Sequence, residues 1–295
     1  MVPTLAKWEI SEYVTFDGSQ QVMADQRLES LHEWHRSTQV PAYIDWLDQA
    51  VTRLEPLSLA SAAGPNGQIR PELALSVQEV GQWRAQLLGH FDPLFQATAR
   101  PFAELALTFT HQQLDQIDRR LKQNNEELHR KYRLRDDRAT LDRRVERWQS
   151  RLEYFFGELT EKQQARLDRR VRALPPITGW WEGRLRRQAS TMALLRRLAT
   201  DKPEVRVATD EIRLAFREYG KSQDDSAARQ SDSRVRRADQ IVTDMLAIAR
   251  PAQFAHARDL FAGFADDLRG VSGLPVAAAD RLRPGLDLLK QAALE

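Results

Sequence analysis

The chain has 295 residues, 42% hydrophobic and 29% charged, enough for a sizeable core under a heavily charged surface. No apolar run approaches the ~18 residues that a membrane-spanning helix needs. Cysteine is absent, which excludes disulfides, thiolate metal sites and cysteine nucleophiles. The formal net charge is only +2, but residues 116–197 carry 22 basic and 12 acidic side chains, whereas residues 1–115 carry 7 and 14. The basic excess is nearly all Arg, which stays charged and binds carboxylates and phosphates through a planar fork.

In chain order, helical periodicity dominates and strand-like alternation is scarce. The opening MVPTLAKWEI lacks the basic and then apolar stretches of a secretory signal. In QVMADQRLESLHEWHR, Val22, Leu28, Leu31 and Trp34 mark one helical stripe. In PAYIDWLDQAVTRL, Pro41 suits a first turn, and Tyr43, Ile44, Leu47, Val51 and Leu54 form the next stripe. Ser61–Pro71 carries Gly-Pro and Asn-Gly, which is turn chemistry. A helix through ELALSVQEVGQWRAQLLGHF follows, then a short apolar segment, PFAELALTF. A long helix is expected from Thr110 to about Tyr132, and another with Leu141, Val145, Trp148, Leu152 and Phe155 on one face. A Trp-containing helix comes after Pro175-Pro176. Residues 220–233 hold no large apolar side chain and read as a flexible loop. Helices around Val235–Ala249, Pro251–Arg269 and Pro275–Ala293 close the chain. The expectation is an all-α, multi-helix bundle of roughly ten helices with no sheet. It reads as one elongated helical domain over 1–295, with 1–108 and 109–295 as its possible parts.

One motif occurs twice. FTHQQLDQIDRR begins at Phe109 and LTEKQQARLDRR at Leu159. In each, a threonine (Thr110, Thr160) stands three residues before a glutamine (Gln113, Gln163), the spacing of a capping box at a helix start. Phe109 and Leu114 suit a hydrophobic staple, while Gln164 occupies the matching staple position of the second copy. Each cap contributes roughly 1 kcal/mol. Asp118-Arg119-Arg120 and Asp168-Arg169-Arg170 also match. The simplest role for both copies is structural. The functional alternative sets the pairs Arg119/Arg120 and Arg169/Arg170 against a partner.

No catalytic site emerges. His32 and His35 flank Glu33 in HEWH, one residue short of the zinc-protease spacing, with no third ligand in view. The other histidines are isolated. No phosphate-binding glycine loop or serine elbow is present. Adjacent acids such as Asp224-Asp225 diverge on a helix. No metal, cofactor or enzymatic activity is therefore expected. Asn124 and Asn125 interrupt a long helical pattern, as either a solvated face or inter-helix hydrogen-bond network, or a buried polar contact that fixes helix register or holds a ligand. Acids interleave with the arginines of the middle third, as in Glu126–Arg130, which argues against nucleic acid.

The doubled LTxxQ motif resembles that of the Spy-type periplasmic chaperones. A broader likeness runs through Leu31–Arg36, Val40–Tyr43, Asn124–Leu128 with Lys131-Tyr132, and Trp180-Trp181. On these residues the chain is similar to a family of bacterial lipoproteins of unknown function. ARPAQFAHARDLF near the end resembles a degenerate third copy, with Arg250 where threonine would cap. The resemblance implies export to the periplasm and a lipid anchor on a cysteine upstream of this chain. It carries no catalytic residues with it. The expected partner is a protein or envelope component, met in a chaperone-like way or, alternatively, as a scaffold without clients.

Overall fold

The computed structural model describes residues 10–133, 137–175, 179–219 and 225–271. These form α-helices joined by short turns and 3-10 segments, with no strand among them beyond an isolated bridge between Ala63 and Ile69. In order they are α1 (Gly18–Trp34), α2 (Val40–Ser58), α3 (Val77–Gly89), α4 (Phe91–Ala106), α5 (His111–Arg133), α6 (Asp137–Phe156), α7 (Glu161–Arg172), α8 (Trp180–Asp201), α9 (Val205–Tyr219), α10 (Asp225–Leu246) and α11 (Pro251–Val271). A π-helical segment, His35–Gln39, follows α1. The fold is all-α.

The chain divides into two compact units, each built from three separate segments. The first takes residues 1–39, 91–134 and 177–223; the second takes 40–90, 135–176 and 224–295. This corrects the division at 108/109 suggested by motif position. Helix packing is decided by which apolar faces match, and here the matching faces lie far apart in the chain.

In the first unit, α4 presents a stripe of small residues, Ala99, Ala103 and Ala106, all fully buried. Small side chains let α9 come close, and it supplies Ala208 and Ile212. Met192, Leu195 and Leu198 of α8 and Leu114 of α5 complete this core. In the second unit, α2 and α11 pack together and share a core of Leu54, Leu57, Phe254 and Ala257. Leu152 of α6, Leu167 and Val171 of α7, and Ile241 and Met245 of α10 form its other cluster. Gly157 ends α6 in the left-handed region at φ 71°, and a β-carbon there would stand 3.6 Å from the His256 ring.

Several expected elements differ. Val22 is 56% exposed, because α1 buries Gln20 and Ala24 instead of the stripe through Val22. The helix expected through Glu72 begins only at Val77, where Ser76 caps it and Glu79 closes the capping box. PFAELALTF is no separate segment, since α4 runs through Pro101 to Ala106. The loop expected over 220–233 is helical from Asp225 onward. Its Ala, Arg and Gln residues are adequate helix formers, and the apolar part of α10 anchors the polar part that precedes it. Residues 220–224 and the helix expected over Pro275–Ala293 lie outside the described residues. The turn at Gly64–Gly67 is present, closed by Gly67 N–H donating to the Gly64 carbonyl at 3.0 Å.

Candidate functional site

The two threonine–glutamine pairs sit at helix starts. Thr110 Oγ1 accepts from Gln113 N–H at 3.2 Å, and Gln113 Oε1 accepts from Thr110 N–H at 3.0 Å. Thr160 and Gln163 repeat this at 3.3 and 2.9 Å. Phe109 and Leu114 are buried in one core. At the second copy Gln164 fills the staple position with a hydrogen bond, Nε2 donating to the Leu159 carbonyl at 3.1 Å.

Neither glutamine acts alone. In the first unit Gln113 meets Gln20, which stands three residues after the cap Asp17 of α1. Gln113 Nε2 donates to Gln20 Oε1 at 2.5 Å, and Gln20 Nε2 donates to Gln113 Oε1 at 3.1 Å. Each amide also donates to the carbonyl two residues before the other's cap: Gln113 to Thr15 at 2.9 Å, Gln20 to Thr108 at 3.0 Å. In the second unit Gln163 meets Gln253 in the same way. There the carbonyls are Ile248, at 3.2 Å from Gln163 Nε2, and Glu158, at 3.1 Å from Gln253 Nε2. Arg250 caps α11 without a side-chain acceptor, but its N–H still donates to Gln253 Oε1 at 3.1 Å.

The chemistry explains the choice of residue. A carboxamide carries an acceptor and two donors on one side chain, and glutamine has the reach to serve its own cap and the opposite chain together. All four glutamines are buried, so these bonds form away from competing water. The flanking positions follow the same plan. Phe16 and Phe109, each one residue before a cap, stack at 6.4 Å. Four residues after the glutamines stand Ile117 and Ala24 in the first unit and Leu167 and Ala257 in the second. The sequence reading found Gln113 and Gln163 and flagged the copy at Arg250. It missed Gln20, whose signal was Asp17 in place of threonine at the same spacing.

The arginines separate into two kinds. Seven residues after the glutamine, Arg120 pairs with Glu12 at 3.0 Å, Arg170 with Asp244 at 2.7 Å, and Arg27 with Glu104 at 2.6 Å. Each acid lies five or six residues before the opposite cap, so these arginines act inside their own unit. Arg170 nonetheless stays exposed, and Arg120 is partly so. Arg119 and Arg169, one position earlier, are exposed. Arg119 and Arg120 both border a shallow groove of ≈ 300 Å³ with Ser11–Thr15, Gln116 and Gln123.

Asn125 is buried on α5 and forms a network with α8. Its Oδ1 accepts from Arg184 Nε at 2.9 Å, and its Nδ2 donates to Gln188 Oε1 at 2.6 Å. Asn124 is half-buried and donates to the Tyr13 hydroxyl at 3.1 Å. His32 and His35 stay close on α1 and the π turn. Burial, and then the neighbouring His32, lower the pKa of His35 from its ordinary value. Among the described residues, no three His, Asp or Glu side chains group as a metal site, and no helix is long and apolar enough to cross a membrane.

Fold and site thus define an all-α protein whose units are each joined by a reciprocal glutamine pair at two helix starts. A family model matches residues 12–209, and the chain belongs to that family, described as a family of unknown function (DUF6279). No curated protein and no solved structure matches it.

Proposed function

We propose that this chain is a non-enzymatic domain that binds a protein or another envelope component, exported to the periplasm and tethered to a membrane as a lipoprotein. Its most specific form is chaperone-like. Two lines support this reading. The doubled LTxxQ motif is similar to that of periplasmic Spy-type chaperones. The polar side chains of the motif are engaged in joining helix starts, so they are not arranged around a reacting atom.

The observation that carries the reading is the exposure of Arg119 and Arg169 at equivalent places while Arg120 and Arg170 are held in ion pairs. An exposed guanidinium offers a planar fork to acidic segments of a client. Exposed Phe95, Val207 and Leu214 of the first unit add apolar contact.

The test is light scattering from a chemically unfolded protein mixed with excess of this chain. Suppressed aggregation is expected, with loss of suppression in the double variant Arg119→Glu, Arg169→Glu at unchanged melting temperature. No suppression at excess removes the chaperone-like form. A stable partner crosslinked from envelope extracts, without suppression, favours a scaffolding role. Fractionation of the natural gene product and mass spectrometry of its N-terminal peptide test the lipid anchor.

A further inference from the structure

A second groove of the first unit lies between α1 and α4 and has a volume of ≈ 260 Å³. Leu31 and Trp34 of α1 and Ala97 and Pro101 of α4 line it with apolar surface. On its rim, Glu104 takes two arginines through their Nε atoms: Arg27 at 2.6 Å and Arg100 at 3.0 Å. The carboxylate is sunken, its side chain 11% exposed, while Arg27 and Arg100 are 47% and 70% exposed. Two cations on one carboxylate leave a net positive charge beside the apolar floor. A guanidinium bound through Nε keeps its two terminal NH₂ groups for a further acceptor.

Pro101 adds a third element. It has no N–H, so the carbonyl of Ala97 lacks its α-helical donor four residues on. That carbonyl belongs to a residue lining the same groove. The groove therefore combines an apolar floor and a cationic rim with a residue whose carbonyl has no donor four residues on. Its volume is below the roughly 300–1,000 Å³ of drug-sized ligand sites, and suits one large side chain and its neighbour.

We propose that this groove binds an extended peptide segment in which a large apolar residue is followed by an acidic one. The apolar side chain lies over Leu31 and Trp34, the carboxylate meets Arg100 and Arg27, and a peptide N–H donates to Ala97. This rests on the protein-binding reading above and names the kind of segment recognised.

The experiment is fluorescence anisotropy of a fluorescein-labelled Gly-Ser-Gly-Phe-Asp-Gly-Ser peptide with the full chain. Matched peptides carry Phe-Asn or Ala-Asp in place of Phe-Asp. Saturable binding of the Phe-Asp peptide is expected, weakened about tenfold by Asn, because a charge-assisted hydrogen bond is lost. Arg100→Glu, on an exposed side chain, and Ala97→Phe, which fills the floor, abolish binding while thermal melting reports an intact fold. No saturable binding at millimolar chain overturns the proposal. So does equal binding of all three peptides, or wild-type binding by both folded variants. Aggregation suppression that survives both variants removes the groove and leaves the broader reading. Peptide binding without suppression supports the groove and removes the chaperone-like form.

Discussion

Gln113 and Gln20 hold each other by both ends of their carboxamides, across 93 residues of sequence. Gln163 and Gln253 do the same across 90. Each glutamine caps its own helix and ties down the strand of chain that enters the opposite helix. The LTxxQ motif is therefore half of a joint, completed by a second helix start elsewhere in the chain.

A joint and a simple cap predict different costs of mutation. Thr160→Ala removes one hydroxyl acceptor and should cost about 1 kcal/mol. Gln163→Ala strands Thr160 N–H, the Ile248 carbonyl and part of Gln253 in a buried site, so it should cost about 2–4 kcal/mol. Urea unfolding of both variants checks the order. Equal losses would reduce the glutamine to a local cap.

Gln163→Glu keeps the shape but replaces the donor with a carboxylate facing the Ile248 carbonyl and Gln253 Oε1. The neutral acid can still donate, so its folded pKa should rise above the unfolded value of about 4.3. The native state then binds the proton more tightly, and stability falls as pH rises from the unfolded pKa through the folded one. The urea midpoint of the variant, relative to wild type, should be higher at pH 4 than at pH 7.

Asp17 titrates in the opposite sense. The Gln20 N–H first, and the Ser19 hydroxyl next, hold its carboxyl below the ordinary range. Its stabilisation is present above the unfolded pKa and is lost as pH falls through the folded one. Asp17→Asn keeps an N-cap but carries no titrating charge, so the acid limb of the stability–pH curve should flatten. A limb of unchanged slope would count against this assignment.

Asn125 and Asn124 are adjacent but differ in burial. Asn125→Ala leaves Arg184 and Gln188 without a buried partner, at a cost of about 2 kcal/mol. Asn124→Ala loses one half-buried bond to Tyr13 and should cost about 0.5 kcal/mol. Thermal melting of the two single variants separates them, and equal shifts would contradict the network.

Arg170→Ala breaks the ion pair with Asp244, whose side chain is only 13% exposed, and should cost about 1 kcal/mol. Exposed Arg169→Ala should stay within about 0.5 kcal/mol. Denaturation of both variants distinguishes the arginine held by Asp244 from its neighbour Arg169. A larger loss at Arg169 would reverse the two roles.

The residues legible in advance were those whose partners lie within one helical turn. Thr110 with Gln113, and Thr160 with Gln163, announce themselves because a capping box spans four consecutive residues. The all-α class was readable from the 3.6-residue period. Where that period misled, the reason was a buried polar side chain. Gln20 is 1% exposed and Val22 is 56% exposed, so an apolar stripe drawn through Val22 selects the wrong face of α1. Residues 225–233 misled because helix formation there is supported by the apolar half of α10, outside the polar window.

By itself, then, the sequence determined the helix starts at Thr110 and Thr160, the helix class and the absence of thiol chemistry, all of which follow from local geometry and composition. Only the tertiary structure decided that Gln20 completes Gln113, that Gln253 completes Gln163, and that Arg120 and Arg170 pair with Glu12 and Asp244. The glutamine pairings depend on contacts between helix starts some ninety residues apart. No local periodicity encodes which buried carbonyl a glutamine amide will reach.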